Sequence, residues 1–175
     1  IVNGSNKIEI VNRYTLQHIG AITTGLSNPR YIAFANDKAY VTNWGVAAVT
    51  TDDYVAVINL TTNAITSTIP VAEGPDRILA KNGNLYVAHL GGYGFGTTIS
   101  AIDGTTNVVT PITVGDVPNS LVISGNDLFV ISGGKPSWSG TETAGKLTKI
   151  NTVSNTVTTT LDFGTTVHPS NLVLS

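Results

Sequence analysis

The chain has 175 residues, a length that fits one domain. Only 11% of it is charged, against about 25% in ordinary soluble proteins, and its polarity comes instead from Thr, Asn, Ser and Gly, the residues of strands and tight turns. The net charge of −2, with no basic stretch, argues against a nucleic-acid partner, and the lack of cysteine excludes disulfides, thiolate metal sites and cysteine nucleophiles.

Ile1-Val2-Asn3 reads as the end of a strand, and a short Gly4-Ser5-Asn6 loop leads into a second strand, Lys7 to Asn12. That second strand returns as Tyr54-Val55-Ala56-Val57-Ile58-Asn59, as Thr98-Ile99-Ser100-Ala101-Ile102-Asp103 and as Lys146-Leu147-Thr148-Lys149-Ile150-Asn151. Pro29, Pro75, Pro118 and Pro169 recur in one phase, giving a period of roughly 46 residues. The unit from Pro75 parses most cleanly into four strands, A to D. Ile78-Leu79-Ala80 is followed by an Asn82-Gly83 hairpin signal. Leu85-Tyr86-Val87-Ala88 is followed by a glycine-rich loop, Gly91 to Gly96. The third strand then runs to a turn at Asp103-Gly104-Thr105-Thr106-Asn107, and Val108 to Val114 is the fourth. The same parse fits the other units, and no segment carries a 3.6-residue apolar stripe long enough for a helix. No window approaches the ~18 consecutive apolar residues of a membrane helix.

A repeat of this length built from short strands predicts an all-β fold: a β-propeller with one four-stranded antiparallel blade per repeat. The units are residues 1–28 (partial), 29–74, 75–117, 118–168 and 169–175 (partial). The run Asp37-Lys38-Ala39-Tyr40-Val41-Thr42-Asn43 resembles the signature of the YVTN family of β-propeller repeats. It is echoed at Asn84 to His89 and at Asp127 to Ser132. That resemblance implies a secreted or cell-surface bacterial protein, with lipoproteins and surface-layer proteins among its relatives. It implies no particular chemistry, because the scaffold also serves enzymes.

The phase places Ile1 inside a B strand and Ser170 to Ser175 on an A strand, four blades' worth in all. The leading expectation is therefore part of a larger ring of six to eight blades. The alternative is a four-bladed ring closed by pairing the last A strand with the first B strand. The sequence opens on Ile1 rather than Met, so a start codon and a signal peptide or lipid anchor are expected upstream.

Two candidate sites emerge. The A–B and C–D turns are tight and uniform, whereas the B–C loops from Trp44, Leu90 and Gly133 are long and varied. Long loops on a rigid frame are where binding usually sits. They carry Trp44, Tyr93, Phe95 and Trp138, contacts for a protein or a glycan. The competing reading is that each ring caps its own blade. The second site is the channel mouth, where Arg30, Tyr31, Asp76, Arg77, Asn119 and Asn171 follow the four prolines. Such a polar ring suits a small ligand or ion, and the simpler reading, a water-filled rim with Asp76 paired to Arg30 or Arg77, accounts for it without one. His18, His89 and His168 show no zinc spacing, no Gly-x-Ser-x-Gly elbow exists, and no cofactor motif is present. The expected function is a non-enzymatic binding or assembly module at the bacterial cell surface, including as a subunit of an outer-membrane complex. The alternative is a lactonase-like hydrolase or a lyase acting at the channel mouth.

Overall fold

The computed structural model describes residues 1–46 and 48–174. Fourteen strands run in chain order: β1 Ile8–Val11, β2 His18–Ile22, β3 Pro29–Ala35, β4 Lys38–Asn43, β5 Tyr54–Asn59, β6 Ala64–Pro70, β7 Pro75–Lys81, β8 Asn84–His89, β9 Thr98–Ile102, β10 Val109–Thr113, β11 Pro118–Ser124, β12 Asp127–Ser132, β13 Lys146–Asn151 and β14 Thr156–Asp162. They form three four-stranded antiparallel meanders, β3 to β6, β7 to β10 and β11 to β14, preceded by the two-stranded sheet of β1 and β2.

The turns explain why these segments pair. In each C–D turn an Asn or Asp side chain accepts two successive backbone N–H groups. Asn59 Oδ1 takes Thr61 and Thr62 at 2.8 and 3.0 Å, Asp103 Oδ1 takes Thr105 and Thr106 at 2.8 Å each, and Asn151 Oδ1 takes Val153 and Ser154 at 2.9 and 3.1 Å. Asn12 does the same for Tyr14 and Thr15. The turn then closes through a left-handed residue, Asn63, Asn107 or Asn155, a conformation that Asn tolerates better than most residues. Asn36-Asp37 and Asn82-Gly83 supply the paired positive φ values of a type I′ hairpin.

The core lies between sheets. Tyr40, Val55, Val57 and Ile69 pack on Ile78, Leu85, Val87 and Ile102 of the next blade. Tyr86, Ile99 and Ile112 pack on Leu121, Leu128, Val130 and Ile150. Ile8 and Ile22 of the first sheet pack on Val41, Ala56 and Ile58. β4 and β8 are buried on both faces, whereas β14 is exposed along its whole length.

The expected strands at the two ends do not form as such. Ile1 to Asn3 contributes one isolated bridge, Val2 to Lys7, and then a 3-10 turn. Residues 169–174 are not in a strand, and Ser175 lies outside the described residues. Both shortfalls have one cause: a strand needs a ladder partner to satisfy its backbone groups. Among the described residues the terminal A-type segment has no B strand beside it, and the first B-type segment has no A strand.

Candidate functional site

The B–C loops and the D–A loops meet on one face of the molecule. They are stitched together there by acidic side chains. Asp53, at the end of the first long loop, accepts the Gly74 N–H at 2.5 Å. Asp116 accepts the Thr143 hydroxyl at 2.7 Å and faces Lys135 at 3.9 Å. Gly74 has a positive φ, and a Cβ there would collide with the backbone of Gly91 and Gly92, so only glycine allows the two loops to touch. The result is a set of B–C loops held rigidly against the frame.

On that frame the four loop aromatics separate into two groups. Trp44 is half-buried. Its indole N–H donates to the Pro75 carbonyl at 3.0 Å, and the Arg30 guanidinium lies 4.2 Å from its ring centre. Arg30 in turn donates to Asp76 at 3.1 Å. Trp44 therefore clamps one blade to the next and has little free surface. Tyr93 and Trp138 are the opposite, 81% and 80% exposed. The Trp138 ring sits 5.9 Å from that of Phe95, tilted by 45°, and the Lys135 ammonium lies 5.8 Å from the Phe95 ring. Two B–C loops thus share an exposed aromatic patch with a cation beside it. Such a surface offers large, conformationally cheap contact area.

At the channel mouth the polar residues are mostly satisfied by one another. Arg30 pairs with Asp76, which is buried, and Arg77 stacks 4.3 Å over the ring of Tyr31. Asn119 donates to the Pro169 carbonyl at 3.1 Å, and its Oδ1 has no partner among the described residues. Asn171 is exposed and reaches only the neighbouring Ser170 hydroxyl, at 3.3 Å. The structure brings Arg30, Tyr31, Asp76 and Arg77 together and leaves Asn171 apart from them.

Two groups of unusual acidity lie beneath the loop face. Burial pushes the Asp53 carboxyl up to about 6, with Asp52 and Glu73 adding repulsion and the Gly74 N–H opposing. Burial pushes the His89 imidazole down to about 4. Its Nε2 lies 2.7 Å from the Ser100 hydroxyl. Both side chains of that pair are almost fully buried, so the serine has no path to a substrate. A cleft of about 200 Å³ bordered by Glu73, His89, Phe95 and Thr97 opens above them. Among the described residues no group of three or more His, Asp or Glu side chains is placed to hold a metal ion. No helix among them is long and apolar enough to cross a membrane.

No family model matches the chain, and no curated protein matches it by sequence. Solved structures do. A chain of the Kuenenia stuttgartiensis hydrazine synthase superposes with a TM-score of 0.74 at 19% identity, over 92% of this chain and 44% of that one. The WD40 domain of Neurospora crassa Pan2 gives 0.70 at 13%, over 91% and 47%. The Dos1 propeller gives 0.69 at 12%, over 95% and 44%. The fold is that of a β-propeller. The chain spans less than half the length of these three neighbours, and at such identities the likeness establishes the fold alone.

Proposed function

We propose that this propeller is a non-enzymatic binding module that captures a protein partner on its B–C loop face. The observation that carries this reading is the pair of rings held almost fully in solvent, Tyr93 and Trp138, on loops anchored to the frame by the Leu90 N–H to Gly74 carbonyl bond and by Asp116. Exposed aromatics on rigid loops serve as binding anchors because little conformational entropy is lost when they are covered. A glycan that stacks on the same rings is the alternative ligand class. The channel-mouth enzyme reading has less support, since the buried carboxylate there, Asp76, is engaged by Arg30.

The YVTN-like repeats and the scarcity of charge support a bacterial cell-surface or secreted setting, reached through an upstream signal or lipid anchor, with an outer-membrane complex as one context. Surface-exposed and periplasmic pools from fractionated cells of the source organism test that setting directly.

The binding reading is tested by cross-linking the wild-type chain and a Tyr93→Ser/Trp138→Ser variant to envelope extract, with glycan arrays run in parallel. The expected result is a protein partner cross-linked near Lys135 and lost at least tenfold in the variant. Equal capture by both chains contradicts the site.

A further inference from the structure

Charge is unevenly matched on the loop end of the molecule. The cations there are already engaged. Lys7 faces Glu9, Arg30 faces Asp76, Lys135 faces Asp116 and Lys146 faces Asp162, and Arg77 lies over the Tyr31 ring. Three carboxylates are left over, and they are neighbours. Asp52, Asp53 and Glu73 have no ion-pair partner among the described residues. Asp52 accepts the Val46 N–H and Asp53 the Gly74 N–H, each with one oxygen. The second oxygen of each is buried without a partner among the described residues, and Asp53 as a whole is only 3% exposed. The crowding is felt at Asp53, whose carboxyl is pushed up by burial first and by the charges of Asp52 and Glu73 after it.

Glu73 carries this surplus charge to the surface. It is half-buried and borders two hollows. It shares the cleft of about 200 Å³ with Phe95, His89 and Thr97, and a smaller hollow with Trp44, Tyr93 and Asp53. No Lys or Arg among the described residues lines either one. Lys135 approaches the Phe95 ring from the next loop, at 5.8 Å, but its charge is met by Asp116. His89 adds no positive charge at neutral pH, since burial pushes its imidazole down to about 4, and its Nδ1 has no partner among the described residues. The walls are fixed before anything binds. The Leu90 N–H donates to the Gly74 carbonyl at 2.8 Å, the Gly96 N–H to the Leu90 carbonyl at 3.0 Å and the Val117 N–H to the Gly96 carbonyl at 2.7 Å. A Cβ at Gly96 would lie 1.8 Å from the His89 carbonyl oxygen, so the loop that carries Phe95 can double back this tightly only with glycine there.

A carboxylate and an aromatic ring sharing a preformed cleft, with no cation of their own, suit an ammonium or guanidinium group. The carboxylate meets the charge and its N–H donors, and the negative face of the ring adds to the attraction. We propose that the protein partner inserts a lysine or arginine side chain into the cleft between Glu73 and Phe95. This inference rests on the protein-binding reading of the loop face and names what the partner presents to it: a basic side chain next to an apolar surface that covers Tyr93 and Trp138. The apolar stem of that side chain packs on the Phe95 ring while its charged end faces Glu73. Asp52 and Asp53 beneath deepen the negative potential, which speeds the encounter with a basic partner and makes it weaken with added salt. A neutral sugar gains nothing from this surplus charge.

The test titrates the full chain, followed by backbone NMR, with N-acetyl-lysine N-methylamide and N-acetyl-arginine N-methylamide. The uncharged norleucine analogue and the free diamine cadaverine are run beside them. The expected result is saturable, millimolar binding of the two basic probes, with the largest shifts at Gly74, Gly91 and Thr97, and none from the norleucine analogue. Glu73→Gln should weaken that binding about tenfold, and Glu73→Lys should abolish it together with partner capture from envelope extract. Phe95→Leu keeps the apolar wall but loses the ring, and should weaken it about two- to fivefold. Absence of saturable binding by the wild-type chain overturns the proposal, as does equal binding of the norleucine analogue or equal binding by Glu73→Gln. Partner capture retained in Glu73→Lys overturns it too. So does cadaverine bound more tightly than either blocked residue, which would mark a receptor for free amines. The broader reading fails separately: capture indifferent to Tyr93→Ser/Trp138→Ser removes the loop face as the docking surface even where the basic probes still bind.

Discussion

The two ends of the blades use the same backbone in opposite ways. On the turn end one solution recurs four times: Asn12, Asn59, Asp103 and Asn151 each cap two N–H groups, and each turn carries at least one Thr. On the loop end nothing repeats. One B–C loop buries its tryptophan against Arg30, another presents Tyr93, and a third presents Trp138 against a ring from its neighbour. The difference shows where constraint ends in this fold. The turn end must reverse the chain in the fewest residues, so the chemistry converges. The loop end is only required to bridge two strands, so its sequence is free to serve a surface.

Substitutions should therefore divide by location. The largest effect is expected inside the frame. Tyr86 is buried between two blades, and its hydroxyl donates to the Thr152 carbonyl at 3.1 Å. Tyr86→Ala should cost about 3–5 kcal/mol in urea unfolding, the range for deleting a buried aromatic ring. Trp138→Ala, of similar bulk, should stay within about 0.5 kcal/mol because the ring is exposed. Equal losses from the two would erase the distinction. A smaller effect is expected at the turns. Asn59→Ala removes the acceptor for two N–H groups and should cost about 1 kcal/mol, with native binding of any loop-face partner retained.

A third prediction concerns pH. The folded chain protonates Asp53 near 6, whereas the unfolded chain does so near 3.8, so acidification from pH 7 to 4 adds stability through this group. His89 works the other way. The unfolded imidazole takes its proton near 6.5 and the folded one resists until about 4, so the same acidification removes stability. The two contributions oppose each other in one pH window. Asp53→Asn should raise the urea midpoint at pH 7.5, and that advantage should shrink by pH 4.5, leaving the His89 loss uncompensated. An advantage that does not change with pH would show that the buried carboxyl is not the cause.

The fold was legible because its signals are local. A proline opening each inner strand and an Asn or Asp closing each C–D turn set the phase, and the apolar alternation between them set the strands. The ends were less legible. Ser170–Ser175 has the composition of an A strand, but strand formation depends on a neighbour that composition cannot supply. At the site, the sequence located the loops and their aromatics but could not tell a clamp from an anchor. Trp44 and Trp138 look alike in the sequence. They differ because Arg30 and the Pro75 carbonyl, brought in from neighbouring strands, meet only the first. The Asp53–Gly74 contact was hidden for the same reason, since it joins loops 21 residues apart.

The most direct test of a division between a structural end and a binding end is a matched comparison of exposed apolar groups. Val108 and Val153 are 60% and 77% exposed on the turn end, against 81% and 80% for Tyr93 and Trp138 on the loop end. Partner capture from envelope extract is measured for Val108→Ser/Val153→Ser and for Tyr93→Ser/Trp138→Ser, each against wild type. Capture retained by the first pair and lost at least tenfold by the second is the predicted result. Loss in the turn-end pair, or retention in both, would contradict it.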